Sequence, residues 1–125
     1  MLTQCIAVGL GGAVGAVGRF LMGAAPFIPK TAFPLTTGLI NLLGAFAIGL
    51  IAELAAQKGM QSSNLVLFLK VGVCGGFTTF STFSLETVTL FSTGKTGLGC
   101  LYIALSVLLC LLGVLLGQWL GRHIA

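Results

Sequence analysis

The sequence predicts an all-α integral membrane protein: four transmembrane helices, the third broken near its middle, assembled as an antiparallel (dual-topology) homodimer. Three observations carry that expectation. Of the 125 residues, 57% are hydrophobic and 6% charged, with a mean hydropathy of +1.14, too apolar throughout for a soluble domain. Four stretches reach the about 20 apolar residues that a helix needs to cross the hydrocarbon core: residues 2–24, 35–56, 64–91 and 97–120. They fill 1–125 as a single four-helix domain and leave almost nothing over. Inside the third stretch, Gly75-Gly76 is followed by the β-branched Thr78 and Thr79. Each glycine lowers helix stability by roughly 1 kcal/mol relative to alanine. In lipid a helix break is tolerated only where the freed backbone groups are buried in protein or line a polar cavity. The interruption therefore predicts a site.

The first span is expected to remain in place. Gly23-Ala24-Ala25 could pass for a signal-peptide cleavage site, but no basic side chain precedes the apolar run, and the run is too long. Gly11 and Gly15 stand four apart, the small-xxx-small spacing that lets helix backbones approach in lipid, so tight packing is expected. Gly9-Leu10-Gly11-Gly12 is not a dinucleotide fingerprint, because Val14 takes the place of the third glycine. Arg19 closes the span, either as an interfacial anchor that snorkels or as an electropositive residue at a pore mouth. Position alone favours the anchor.

Ala25-Pro26-Phe27-Ile28-Pro29-Lys30 forms a turn, because two prolines stop helix propagation. The second span carries Asn41 at depth, on a stripe with Thr37, Gly44 and Ala45. Asn41 either makes an interhelical hydrogen bond, worth about 0.6–2 kcal/mol in a bilayer, or donates N–H into a pore. The polar run from Glu53 through Asn64 is a solvated connection.

The third span begins with Lys70 shallow enough to snorkel and reaches the break. Beyond it Thr79, Thr82, Glu86, Thr89 and Thr93 recur at helical spacing as one polar face, beside a face of Phe80, Phe83 and Thr87. A carboxylate in a membrane costs about 3 kcal/mol on insertion scales, which makes Glu86 a functional candidate.

Ser92-Thr93-Gly94-Lys95-Thr96-Gly97 is a turn and not a phosphate loop, since Thr89 stands where the first glycine of that motif would fall. The fourth span has a glycine seam, Gly113, Gly117 and Gly121, and a second stripe of Tyr102, Ser106 and Cys110. Trp119, Arg122 and His123 suit an interface. Cys5, Cys74, Cys100 and Cys110 lie inside apolar spans without a CxxC, as small core residues and not a disulfide or zinc framework.

Four spans place Lys58, Lys70 and Arg122 on one side and Arg19, Lys30 and Lys95 on the other. Three against three gives the positive-inside rule nothing to choose, so insertion in both orientations is expected. An antiparallel homodimer follows, its tight contacts expected from the glycine seams and its broken helices meeting near the midplane.

The segments Gly11-Gly12-Ala13-Val14-Gly15-Ala16-Val17-Gly18-Arg19, Asn41-Leu42-Leu43-Gly44 and Gly75-Gly76-Phe77-Thr78-Thr79-Phe80-Ser81-Thr82-Phe83, with Glu86, together resemble the bacterial Fluc (CrcB) fluoride channels over the full chain length. That resemblance implies passive fluoride export across the bacterial inner membrane, relieving fluoride toxicity, by a dual-topology dimer with two antiparallel pores. It implies an aromatic box of Phe80 and Phe83, Asn41 as pore donor and Arg19 at the vestibule. Tyr102, Ser106, Thr82, Ser84 and Glu86 fall on or beside the polar path. The backbone carbonyls of Gly75 and Thr78 would hold a structural sodium ion, Na+, at the dimer interface. Thr36 stands where the family often has glycine, and Ala45 and Cys110 where it often has serine.

Fluoride gives up water reluctantly, so a pore must substitute amide N–H groups, hydroxyls and the positive edges of aromatic rings. Unwound carbonyls can hold sodium. Glu86, as a bare carboxylate, repels an anion, and is expected to be protonated, paired or a gatekeeper beside the path. The alternative is a proton-coupled small multidrug-type exporter of dual topology, but that mechanism needs an acid deep in the first span, where none stands. A non-transporting assembly subunit would leave Asn41, Thr82 and Glu86 without purpose. No enzymatic nucleophile–base pair or metal cluster can be built from one histidine and two glutamates, and no nucleic-acid partner is expected.

Overall fold

The computed structural model describes residues 1–124. It is all-helical, with four helices long and apolar enough to cross a membrane: Leu2–Gly23, Leu35–Gln57, Asn64–Ser92 and Thr96–Ile124. Gly59 and Gly94, both at positive φ (65° and 79°), sit just beyond the second and third helices. There a left-handed residue turns the chain out of the helix at no Cβ penalty.

The side-chain distribution is inverted relative to a soluble bundle. In the first helix Gly11 and Gly15 are buried while Leu10, Val14 and Val17 point outward. Lipid is as apolar as leucine, so helices associate through close backbone packing and not through burying large side chains.

The glycines show where. A Cβ on Gly11 would strike the Phe68 carbonyl, and one on Gly15 would strike the Val73 carbonyl and lie 2.7 Å from the Phe77 N; one on Gly76 would lie 2.5 Å from the Gly12 O. The first helix thus lies against the third, backbone on backbone. In the fourth helix a Cβ on Gly117 would strike the Phe46 carbonyl and one on Gly121 would lie 2.9 Å from the Glu53 Cβ, while Gly49 on the second helix meets Val114. The second and fourth helices pair in the same manner, and Arg122 Nε lies 3.5 Å from Glu53 Oε2 at their end. This corrects the expectation for the glycine seams: they are filled within the chain, first helix to third and second to fourth, and so are not free to make contacts between chains.

The third span is irregular in a way that its glycines do not locate. After Ser63 Oγ caps it by accepting from Val66 N–H, it runs as α-helix over Asn64–Val66, π-helix over Leu67–Cys74 and α-helix over Gly75–Phe77. Gly75 is helical, at φ −65° and ψ −37°. The extended residues are Thr78 (ψ 158°) and Thr79 (φ −150°, ψ 116°). Helix resumes over Phe80–Ser92, with Thr79 Oγ1 accepting from Thr82 N–H as its N-cap. β-Branched residues suit extended backbone, and threonine is a strong N-cap. Gly72 and Gly76 instead make room for the first helix.

Candidate functional site

The extended pair Thr78–Thr79 is held from the second helix. Asn41 Nδ2 donates to Thr79 O at 3.1 Å, and Thr79 N–H donates to Asn41 Oδ1 at 2.8 Å. One side-chain amide thus satisfies both backbone groups of Thr79, as a neighbouring strand would. Asn41 therefore acts as an interhelical clamp, with one amide hydrogen left over.

The same pairing frees carbonyls. In an unbroken helix Gly75 O would accept from Thr79 N–H, and Thr78 O from Thr82 N–H. Here those amides donate to Asn41 Oδ1 and Thr79 Oγ1. Gly75 is exposed, and a Cβ there would meet nothing within 4 Å. The Gly75 and Thr78 oxygens thus lack their helical donors, and oxygens are the ligands that a hard cation prefers. Among the described residues no group of three or more His, Cys, Asp or Glu could hold a metal ion.

Below the extended link lies a groove of about 390 Å³. Phe80 and Phe83 form one side, their centroids 5.5 Å apart at 49°, and Ser106 and Cys110 of the fourth helix line it too, with Asn41, Thr78 and Thr79. Phe80 is 78% exposed, so its ring stands at the open side. Phe83 also packs on Tyr102, at 5.0 Å, and Tyr102 makes in turn a T-shaped pair with Phe33, centroids 5.4 Å apart.

Glu86 is outside that groove. Its carboxylate accepts from Thr37 Oγ1 at 3.0 Å and from Tyr102 Oη at 2.9 Å, which joins the second, third and fourth helices at one node. Of the states open to it from sequence, this is the paired one. Thr89 and Thr93 of the expected polar face turn back on their own helix, donating to Leu85 O and Thr89 O, as do Ser84 to Phe80 O and Thr87 to Phe83 O, the usual recourse of hydroxyls in helices. Thr82 points elsewhere, into a second cavity of about 370 Å³ that Arg19, Thr36, Thr37 and Thr79 also line. There Arg19 Nε donates to Gly76 O at 3.2 Å.

The family described as CrcB-like protein, Camphor Resistance (CrcB) matches residues 6–118. The chain belongs to the CrcB family. Its CrcB relatives include the "Fluoride-specific ion channel FluC" of Ruminiclostridium cellulolyticum, 47% identical over 99% of this chain and 96% of that one. The protein of the same name from Roseobacter denitrificans is 44% identical over 98% of both, and that from Agrobacterium fabrum 43% over 94% of both. With four apolar helices and this membership, the chain is a multi-pass membrane protein.

Within the CrcB fold, the structure brings Asn41, Phe80, Phe83 and Ser106 onto one groove, sets Arg19 and Thr82 in a second cavity, and leaves Glu86 and Tyr102 at the node between helices. Thr79, which borders both cavities, was expected on the polar face but not among the path residues. Its signals were its spacing from Thr82 and Glu86 and its place after a double glycine. Thr37 had a signal, its spacing of four from Asn41, but nothing to indicate Glu86 as its partner.

Proposed function

We propose that the chain is a fluoride-selective passive anion channel that exports fluoride across the bacterial inner membrane and so reduces fluoride toxicity, working as an antiparallel homodimer. The observation that carries the reading is the groove bordered by the Phe80 and Phe83 rings beside Ser106 and the Cys110 thiol. The names of the CrcB relatives point the same way.

Fluoride holds its hydration shell strongly, so a path that lets it through selectively must offer hydrogen-bearing groups at every step. Ring edges carry the positive part of the aromatic quadrupole; the rings of Phe80 and Phe83 present them without a fixed charge that would trap the ion. Ser106 supplies a hydroxyl and Asn41 its remaining amide hydrogen. Thr79, between the two cavities, gives a hydroxyl at the crossing from the Arg19 side to the phenylalanine side. Glu86 stays beside the path, where Thr37 and Tyr102 hold its carboxylate away from the groove. Tyr102 and Ser84 then shape the path by fixing Phe83 and the Phe80 turn.

The second copy belongs to this reading. Phe80 and Gly75 are exposed in a single chain, and the groove is open along that face. An antiparallel partner laid there closes it and brings a second extended link to the first. The carbonyls of Gly75 and Thr78 from both copies would then hold a structural sodium ion. Its charge supplies electrostatic compensation for an anion near the midplane.

The test is ion efflux from liposomes containing the purified protein, without a proton gradient, reading fluoride and then chloride. Rapid fluoride release with chloride retained supports the channel; retention of both ions, or release that tracks an imposed proton gradient, overturns it.

A further inference from the structure

The second cavity has a charged rim that neither the motif nor the groove explains. Lys30, in the connection between the first two helices, donates from Nζ to Gly23 O at 2.9 Å and to Thr36 Oγ1 at 3.2 Å. Gly23 and Thr36 both line the cavity, with Arg19, Thr37, Thr79 and Thr82. The lysine ammonium is therefore fixed against the cavity wall. Neither acceptor carries a full negative charge, so the tie holds the ammonium in place without neutralising it.

Two further features give that charge a purpose. Gly23 is the last residue of the first helix, and the unpaired carbonyls at a helix C-terminus carry about half a negative charge. Left bare at the cavity mouth, they would repel an arriving anion; Lys30 covers one of them. No carboxylate lies within 4.0 Å of Lys30 or Arg19 among the described residues. The chain has two acids: Glu53 is engaged by Arg122, and Glu86 stands behind Thr37. An anion approaching the cavity meets Lys30 at the rim and Arg19 in its lining, with threonine hydroxyls around them, while the Glu86 carboxylate is held by Thr37 and Tyr102.

We propose that Lys30 is a rate-setting electrostatic residue that concentrates fluoride at the mouth of the Arg19 cavity. The proposal rests on the channel reading above. A surface charge of this kind acts through the local ion concentration, and salt screens it: the Debye length falls from about 30 Å at 0.01 M to about 3 Å at 1 M.

The experiment is fluoride conductance in planar bilayers at about 0.01 M and about 1 M ionic strength, set with sodium gluconate. Lys30→Gln and Lys30→Met, the second keeping the apolar stem, are each checked for assembly by gel filtration. Both are expected to conduct about threefold less than wild type at low ionic strength, the effect of one unit charge a few ångströms away in water, and to match it at high. Lys30→Arg, which keeps the charge, is expected to follow wild type at both. An equal deficit at the two ionic strengths makes Lys30 only a structural tie and overturns the proposal, as do no deficit at all or an arginine variant that behaves like the glutamine one. Absence of fluoride current in wild type overturns the channel reading, and the rim charge with it; a wild-type current with salt-independent variants overturns the rim charge alone.

Discussion

Phe80 and Phe83 each touch the groove with a ring, and replacing either with isoleucine keeps an apolar side chain while removing the polarised ring edge. One such edge contact is worth about 0.5–1.5 kcal/mol. Phe80→Ile and Phe83→Ile are each expected to slow fluoride efflux by about two- to tenfold while the protein still elutes as the same assembly. Wild-type efflux in both would remove the aromatic role. Asn41 belongs to the same scale. Asn41→Ala leaves the Thr79 N–H and C=O without the partners that hold them at 2.8 and 3.1 Å. In a bilayer such bonds contribute about 0.6–2 kcal/mol each, so for the two together unfolding in detergent is expected to need about 1–4 kcal/mol less, and efflux to fall along with it. Unchanged stability would show the clamp to be dispensable. Residue identity was well indicated by sequence here, because an amide or a carboxylate inside an apolar span stands out. Partners were not: nothing in the spacing of Glu86 tells that Tyr102, from a different helix, reaches it.

At the scale of the helices, the glycines divide into those pressed on a neighbouring backbone and those facing open space. Gly15→Ala and Gly117→Ala put a methyl group against a backbone that cannot move aside like a side chain, and each is expected to destabilise the protein by about 1–3 kcal/mol. Gly9→Ala and Gly97→Ala meet nothing within 4 Å and are expected to be neutral or to stabilise by up to about 1 kcal/mol, the helix-propensity gain. Equal effects in the two sets, read by thermal unfolding in detergent, would remove the seams as a packing device. Sequence showed the seams but not which surface they meet, since a small-residue stripe has the same pattern whether its partner lies in the same chain or another. It also set the irregularity at Gly75-Gly76, whereas the extended residues are Thr78 and Thr79. Intrinsic propensity was outweighed there by two tertiary facts: Gly76 is needed where the first helix approaches, and Asn41 rewards an extended Thr79. The π-helix at Leu67–Cys74 left no sequence signal at all.

For the whole molecule, the balance of Lys58, Lys70 and Arg122 against Arg19, Lys30 and Lys95 leads to a direct test of antiparallel assembly. Placing lysines at Ser62 and Ser63 biases one orientation, and efflux is expected to fall to near background when that variant is made alone. It is expected to recover when an oppositely biased variant is made with it; full activity of the biased variant alone overturns the antiparallel arrangement. Sodium gives a second test. Exchanging it for N-methylglucamine during purification is expected to lower fluoride efflux several-fold, and sodium restores it; indifference to sodium would remove the Gly75 and Thr78 carbonyls from that role. Composition made the membrane class and the number of helices legible, because four apolar stretches of this length have few other solutions.

The pairing of the helices also bears on how the chain is made. Helices one and three are matched backbone on backbone through glycine, as are two and four, whereas the glycines between consecutive helices meet side chains, Gly44 against Thr78 and Gly99 against Phe91. While the ribosome is still delivering the chain, the first helix has no backbone-on-backbone neighbour until the third arrives, and the second, which meets the third through Asn41 and Gly44, completes its own such pairing with the fourth. Backbone-on-backbone packing therefore begins only with the third helix and is completed by the fourth, and the first two helices lack it during the interval in which their orientation is being decided.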